Sequence, residues 1–130
     1  MRRAGLPLPP QTLSPQDTAR LLARPTFENA LAAAVESAAE GEAEAAKTKF
    51  EEALKLASPL NSAEAWHRIC LEGGRWQQAA VALPACKNAI ELDPENSRYY
   101  LSRAFVRQQL GDMAGAREDL SIFEHGAWDK

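Results

Sequence analysis

The side chains whose spacing comes closest to supporting chemistry are His67, Cys70 and Cys86. On a helix, His67 and Cys70 would present an imidazole and a thiol on neighbouring positions of one face, as a zinc site requires. A fourth ligand is not evident, and the cysteines lack C-x-x-C spacing. We therefore expect no metal and no cofactor. Two cysteines are too few for a disulfide framework, so both are expected to be small buried residues at a close helix contact, in a reducing cytoplasm.

Motifs for catalysis are missing from the sequence. It contains no G-x-x-x-x-G-K, no G-x-S-x-G and no H-E-x-x-H, and neither His67 nor His125 has a spacing that implies a base. Glu40, Glu42 and Glu44 alternate around a glycine, which is typical of solvent-facing charge. We predict that the protein is not an enzyme.

Composition favours one all-α domain. Of 130 residues, 45% are hydrophobic and 25% charged, and because alanine dominates while β-branched residues are scarce, helices are favoured over a sheet. A net charge of -3 provides no basic face for nucleic acid. The acid is concentrated in residues 26–60, where seven glutamates face three lysines. No apolar run approaches the roughly 18 residues that span a bilayer, and no secretion signal is evident, so we predict a cytoplasmic protein without a membrane partner.

Local signals divide the chain into helices. Residues 1–13 form a proline-rich lead-in, expected to be extended. Ser14 and Pro15 are typical of a helix start, and we predict a short docked helix that ends before Pro25, with Ala19, Leu22 and Ala23 on its apolar face. Residues 26–60 then predict two helices hinged at Gly41. The second carries one apolar stripe: Ala46, Phe50, Ala53, Leu54 and Ala57.

The chain also repeats itself. Moving 34 positions along the chain carries residues 63–96 onto 97–130, and it aligns Trp66 with Tyr100, Cys70 with Ala104, Ala82 with Ala116, Cys86 with Leu120 and Ala89 with Phe123. Moving 36 positions carries residues 26–60 onto the middle copy. A repeat of about 34 residues is the period of the tetratricopeptide helix-turn-helix unit. The sequence therefore predicts about three antiparallel helical hairpins.

The residues of the middle copy carry a family resemblance. Trp66, Ile69 and Cys70 fit the first helix of the tetratricopeptide consensus, Ala82 and Cys86 its A-x3-F element, and Ala89 and Pro94 its end. The third copy resembles it through Ala104, the turn Leu110-Gly111-Asp112, Ala116 and Leu120. This resemblance implies a short right-handed solenoid, over residues 14–130, that binds a protein or peptide on its concave face.

The middle copy departs from the consensus at its turn. Gly73 stands where the family has tyrosine, and Gln77 stands where it has the glycine between the helices. We predict that the turn has moved to Gly73-Gly74, giving helices near 62–72 and 75–92, with a bend at Pro84 in the second. Residues 12–124 also resemble the terminal repeat block of large bacterial multidomain proteins.

The resemblance places the binding surface on first helices. The candidate residues are His67, Arg68, Leu71, Arg98, Leu101, Ser102, Phe105 and Gln109. An exposed Leu and Phe beside arginines would suit an amphipathic or acidic segment. The alternative is that Leu101 and Phe105 pack on the helices of the middle copy. A family clamp for a terminal carboxylate is not expected, because Leu31 and Val35 occupy its places.

The tryptophans suggest a second role. Trp66 and Trp76 are interpreted as core anchors, because no basic groove accompanies them for nucleic-acid stacking. Trp128 follows the last helix and is predicted to cover the open end of the stack. If it does not, that end is an apolar patch through which the chain could form homo-oligomers. Self-assembly is therefore the alternative to partner binding.

Overall fold

The computed structural model describes residues 14–126, apart from the side chains of 19–23, so the predicted lead-in and Trp128 lie outside the described residues. The predicted all-α class is confirmed: the described residues form helices joined by turns, with no strand among them, and the helices pack in neighbouring pairs. The helices are α1 (Pro15–Ala39), α2 (Ala43–Ala57), α3 (Ala63–Arg75), α4 (Ala79–Leu92), α5 (Ser97–Gln109) and α6 (Met113–His125), with a 3₁₀ turn at Ser58–Leu60 after α2.

Polar side chains close the open N-terminal turns of four helices. The backbone N–H groups of Asp17, Ala65, Arg98 and Gly115 donate at 2.9–3.1 Å to Ser14, Ser62, Asn96 and Asp112 respectively. Each bond satisfies an N–H that has no partner within its helix. Helix starts are thus fixed locally, by side chains that lie beside them in the sequence.

Helix α1 does not stop at Pro25. The predicted short helix is wrong, because α1 continues through the proline to Ala39. A proline inside a helix removes one hydrogen bond and costs about 3 kcal/mol. Phe27 and Leu31 follow at once and are 0% and 2% exposed, so burial of their side chains offsets that cost. Packing therefore keeps the helix continuous at the position where the sequence indicated a break.

The three helix pairs share one turn geometry. Gly41, Gln77 and Gly111 have φ values of 81°, 63° and 84°, and they occupy equivalent places under the two shifts of the sequence repeat. Glycine adopts this left-handed conformation freely, whereas another residue pays about 1–2 kcal/mol. The predicted turn at Gly73-Gly74 is therefore wrong: the middle turn stays in register and Gln77 carries its strain.

Gly73 and Gly74 lie buried inside α3, where they permit close approach. A Cβ at Gly73 would stand 2.7 Å from the Cβ of Ala82, and one at Gly74 would stand 3.1 Å from Cγ2 of Val106. Helix α3 therefore runs through both to Arg75, and α4 begins at Ala79, later than predicted. These glycines are needed for packing between helices.

Helix ends follow the sequence shifts as well. Helix α5 starts and ends 34 residues after α3, from Ala63 to Ser97 and from Arg75 to Gln109. Helix α4 starts 36 residues after α2, from Ala43 to Ala79. Pro84 lies inside α4, which continues to Leu92. Equivalent positions of the pairs can therefore be compared residue by residue.

The core joins neighbouring pairs. The α2 stripe is buried as predicted, with Leu54 half-buried at its edge. A main cluster runs through α1–α4 and takes in Val106 of α5, and a smaller one unites the end of α4 with Tyr99 and Tyr100. Trp66 packs against both clusters. Half-buried Trp76 packs on the main one, and its indole Nε1 is the one buried side-chain polar atom of the described part without a hydrogen-bond partner.

A disulfide joins α3 to α4. Cys70 and Cys86 are bonded, with Cα atoms 4.9 Å apart, so the expectation of unpaired thiols is wrong. Their burial at a close helix contact is as predicted, and Gly73 is the reason the two helices come near enough. Disulfides persist in oxidising compartments, so these cysteines do not indicate a reducing cytoplasm.

In the last pair, an ionic cluster joins the two helices where the middle pair has its disulfide. Asp119 is 0% exposed, and its carboxylate accepts two bonds from Arg103, at 2.8 and 3.0 Å, and one from Arg107 at 3.0 Å. Buried carboxylates persist only when paired in this way. This cluster was not predicted from the sequence, and Leu120 was expected at the packing position through its match to the consensus. Leu120 is 39% exposed, because Asp119 and its arginines fill the contact between the helices.

Candidate functional site

His67 and Ser102 bridge α3 and α5. The ring Nε2 of His67 lies 2.8 Å from Oγ of Ser102, and the ring stacks on Tyr99 with centroids 4.5 Å apart. Burial lowers the pKa of His67, and the positive charge of Arg98 lowers it further. The imidazole is therefore neutral at pH 7 and connects the two helices.

A serine beside a histidine raises the question of nucleophilic catalysis. The pair is within the reach that a general base needs, but a catalytic serine also requires N–H donors for the oxyanion. Ser102 lies in the interior of α5, where backbone N–H groups are bonded to carbonyls one turn earlier. The bond between Ser102 and His67 thus connects two helices, and the backbone around Ser102 does not offer the N–H donors that acyl transfer needs.

Two further candidates are also engaged within the molecule. Arg68 donates to Glu28 at 2.6 Å and lies 5.9 Å from the centre of the Phe27 ring. The hydrogen bond from Arg68 lowers the pKa of the Glu28 carboxyl. Gln109 donates from Nε2 to the carbonyl of Gly74 at 2.6 Å. These side chains tie first helices to one another and are not free for a partner.

The apolar candidates remain accessible. Leu71, Leu101 and Phe105 are 40%, 41% and 51% exposed. Together with Cys70 and Ser102 they enclose a cavity of about 330 Å³ between α3 and α5, which we call the α3–α5 groove. Phe105 also packs over Gly74. Part of its ring therefore packs on the middle pair, as the alternative interpretation expected, while the rest stays exposed, as a binding surface requires. Arg98 is exposed one turn before Leu101.

A second apolar surface lies on the other side of Leu101 and Phe105. It encloses about 210 Å³ between α5 and α6, and we call it the end face. Its lining residues are Leu101, Ala104, Phe105, Gln108, Met113, Ala116, Arg117 and Leu120. Met113 is 46% exposed, and Arg117 is the one charged residue of the lining. The two surfaces share the ridge formed by Leu101 and Phe105.

Two larger depressions are more polar. One of about 740 Å³ is lined by Gln77, Gln108 and Gln109 among others. Another, of about 550 Å³, lies between α1 and α3 and contains the paired charges of Glu28 and Arg68. Ligand sites are usually apolar with a few polar groups, so the α3–α5 groove and the end face are the better candidates.

Within residues 14–126, no group of three or more His, Cys, Asp or Glu side chains is arranged to hold a metal ion. His67 bonds to Ser102, and Cys70 and Cys86 bond to each other. The three residues considered for zinc therefore have other partners.

Comparison with known proteins gives no family assignment. No protein-family model matches the chain, and no curated protein matches it in sequence. Of the helices that the structure describes, none has the length and apolar character needed to cross a membrane.

Proposed function

We propose that the protein is an interaction module without catalytic activity, built as a short tetratricopeptide-like solenoid that binds a protein or peptide segment in the α3–α5 groove. The observation that carries the proposal is the cavity formed by Leu71, Leu101 and Phe105. Large apolar side chains exposed together are costly to keep in water and mark interaction sites when they are contiguous.

The surroundings of the groove favour an apolar segment over a polar one. His67 and Ser102 satisfy each other at its wall, so a ligand need not supply hydrogen bonds there. Arg98 is exposed near one end and suits an acidic residue beside the apolar anchor. Such a ligand gains affinity from burying one or two apolar side chains and orientation from charge.

The test begins with a random peptide library selected on the immobilised protein. Selected peptides are then titrated against Leu71→Lys, which puts a charge into the groove, and against Leu92→Lys. Leu92 is 44% exposed and belongs to neither surface, so it is the matched control. We expect Leu71→Lys to weaken binding by about tenfold or more and Leu92→Lys to leave it unchanged. Peptides that bind Leu71→Lys as well as the wild type would refute the groove as the site.

Self-assembly is the second candidate function, and the exposed end face is the observation that favours it. Leu101, Phe105, Met113 and Leu120 together present more apolar surface than isolated exposed residues do. Light scattering over a range of concentrations tests it, since a protein that stays monomeric excludes self-assembly through this face.

A further inference from the structure

The end face is the last pair's copy of a surface that is covered in the middle pair. Its eight lining residues correspond, 34 positions earlier, to His67, Cys70, Leu71, Gly74, Ala79, Ala82, Leu83 and Cys86. The helices that carry the two sets start at equivalent residues, Ala63 and Ser97, Ala79 and Met113. What covers the earlier surface is therefore a guide to what fits the later one.

Helix α5 covers the earlier surface except at Leu71, which stays exposed in the α3–α5 groove. Tyr99 stacks on His67 and Ser102 bonds to it. Val106 fits against the bare backbone of Gly74, and α5 packs along α4 as well as α3. The occupant of this surface is thus one helix, which presents small or apolar side chains at intervals of three and four residues.

Charge distinguishes the two surfaces. Leu83 packs against the core in the middle pair, whereas Arg117 stands in its place on the end face and has no ion-pair partner within residues 14–126. A helix seated there like α5 would have to bury this guanidinium or pair it. An acidic residue on the incoming helix satisfies the charge.

We propose that the end face binds an amphipathic helix of a partner protein, seated as α5 is seated on α3 and α4, with an acidic side chain directed at Arg117. A second copy of the chain is a poorer occupant, because two-fold pairing would set two such faces together, each with Arg117 and no acid in its lining. The two surfaces share the ridge of Leu101 and Phe105, but Leu71 lines the groove alone and Leu120 lines the end face alone, so substitutions at these two leucines distinguish this site from that of the proposed function.

The probe is a synthetic peptide with the sequence of residues 97–109, stapled to keep it helical because an isolated helix of this length is marginal. An acidic form carries Glu in place of Arg98, Arg103 and Arg107. Labelled peptides are titrated against the full chain by fluorescence anisotropy. We expect the acidic form to bind about tenfold more tightly than the unmodified form, and Arg117→Glu to reverse that preference.

Position is tested with exposed leucines. We expect Leu120→Lys to weaken binding of the acidic peptide by about tenfold or more, and Leu92→Lys to have no effect. Three outcomes overturn the inference: no saturable binding, binding that survives Leu120→Lys, or a dimer that Leu120→Lys dissociates and the peptide disrupts. Loss of binding through Leu71→Lys alone would also overturn it, by placing the peptide in the groove, and would leave the proposed function standing.

Discussion

The middle and last helix pairs have equivalent helices but are held together by different chemistry. In the middle pair, Cys70 and Cys86 are covalently joined. In the last pair those two places hold Ala104 and Leu120, and the helices are joined by Asp119 with its two arginines. One architecture therefore accepts either a covalent or an ionic connection at the same contact.

The positions beside the disulfide show why the two solutions exclude each other. Arg107 and Asp119 correspond to Gly73 and Ala85 of the middle pair. Small residues let α3 and α4 approach closely, whereas the arginines occupy the space between α5 and α6 and leave Leu120 at the surface. The first pair has a third solution at these places, where Lys49 donates to Ser37 at 2.8 Å. The close approach of α3 and α4 therefore depends on small residues at these positions, which larger charged side chains replace in the last pair.

Removing Asp119 should have the largest effect. Asp119→Ala removes the carboxylate from between Arg103 and Arg107, whose side chains are 15% and 21% exposed. Breaking a buried pair in this way costs about 3–5 kcal/mol, although Arg107 keeps a longer ion pair with Asp112. Urea denaturation would measure the loss. Glu118→Ala, its exposed neighbour, should stay within about 0.5 kcal/mol of the wild type. Equal effects of the two substitutions would show that the ionic cluster does not stabilise the folded protein.

Breaking the disulfide should have the next largest effect. The bond joins residues 16 apart, and closing a loop of that size contributes about 3 kcal/mol through the unfolded state. Cys70→Ala combined with Cys86→Ala should lower the free energy of unfolding by about that amount. Reductant should destabilise the wild type similarly and leave the double variant unchanged. A wild type insensitive to reductant would show that the middle pair does not depend on the bond.

A larger side chain at the contact between the two helices should destabilise the middle pair more than the last pair. Ala82 is fully buried against Gly73, so Ala82→Leu should cost about 1–3 kcal/mol by overpacking. Its equivalent, Ala116, lines the end face, where a larger side chain has room, so Ala116→Leu should cost less. Thermal melting of both variants gives the ranking. A greater loss at Ala116 would mean that the last pair is packed as closely as the middle one.

A substitution at the middle turn should have a smaller effect, and it should raise the stability of the protein. Gln77 has a φ of 63°, where the other two pairs have glycine. Gln77→Gly relieves the strain but loosens the unfolded chain, so we expect a net gain of about 0.5–1 kcal/mol. Gly111→Ala, at a φ of 84°, should be destabilising and is the converse control. A neutral Gln77→Gly would contradict the assigned strain.

The smallest effect should be a pH dependence. The pKa of His67 is lowered in the folded protein by burial and by Arg98, so the unfolded chain binds more protons. The stability due to neutral His67 is complete above the unfolded pKa of about 6.5 and is lost as the pH falls below it. His67→Gln should flatten stability between about pH 7 and 5, whereas exposed His125→Gln should not. An unchanged slope in His67→Gln would assign the dependence elsewhere.

Features that depend on neighbours in sequence were predictable. The α2 stripe, the turns at Gly41 and Gly111, and the cap at Ser14 follow from periodicity and from residue preferences at helix ends. Pro25 and Gln77 were misjudged because burial of Phe27 and contacts of Gly73 override those local preferences. Local signals predicted where most helices begin and failed where packing had to outweigh them.

Contacts between helices were harder to predict, although the sequence carried signals for two of them. Cys70 and Cys86 each lie eight residues from Gln78, so a turn there sets them opposite each other. Arg103 and Asp119 stand where the previous copy has Ile69 and Ala85. Opposite charges that appear together at positions apolar in the preceding copy indicate a buried ion pair. Leu71, Leu101 and Phe105 were predicted as binding residues and lie together in one groove, and their role in binding stays a prediction. The bonds between His67 and Ser102 and between Arg68 and Glu28 required the structure.

The bond between Cys70 and Cys86 makes the intervening chain, with the whole α3–α4 turn, a closed ring. A single protease cut within a ring releases no fragment, because the two products remain one molecule. Trypsin acting after Arg75, which is exposed, would therefore leave one band on a non-reducing gel and two bands once reductant is added. A clipped α3–α4 turn would pass unnoticed in any assay of intact size that omits a reductant.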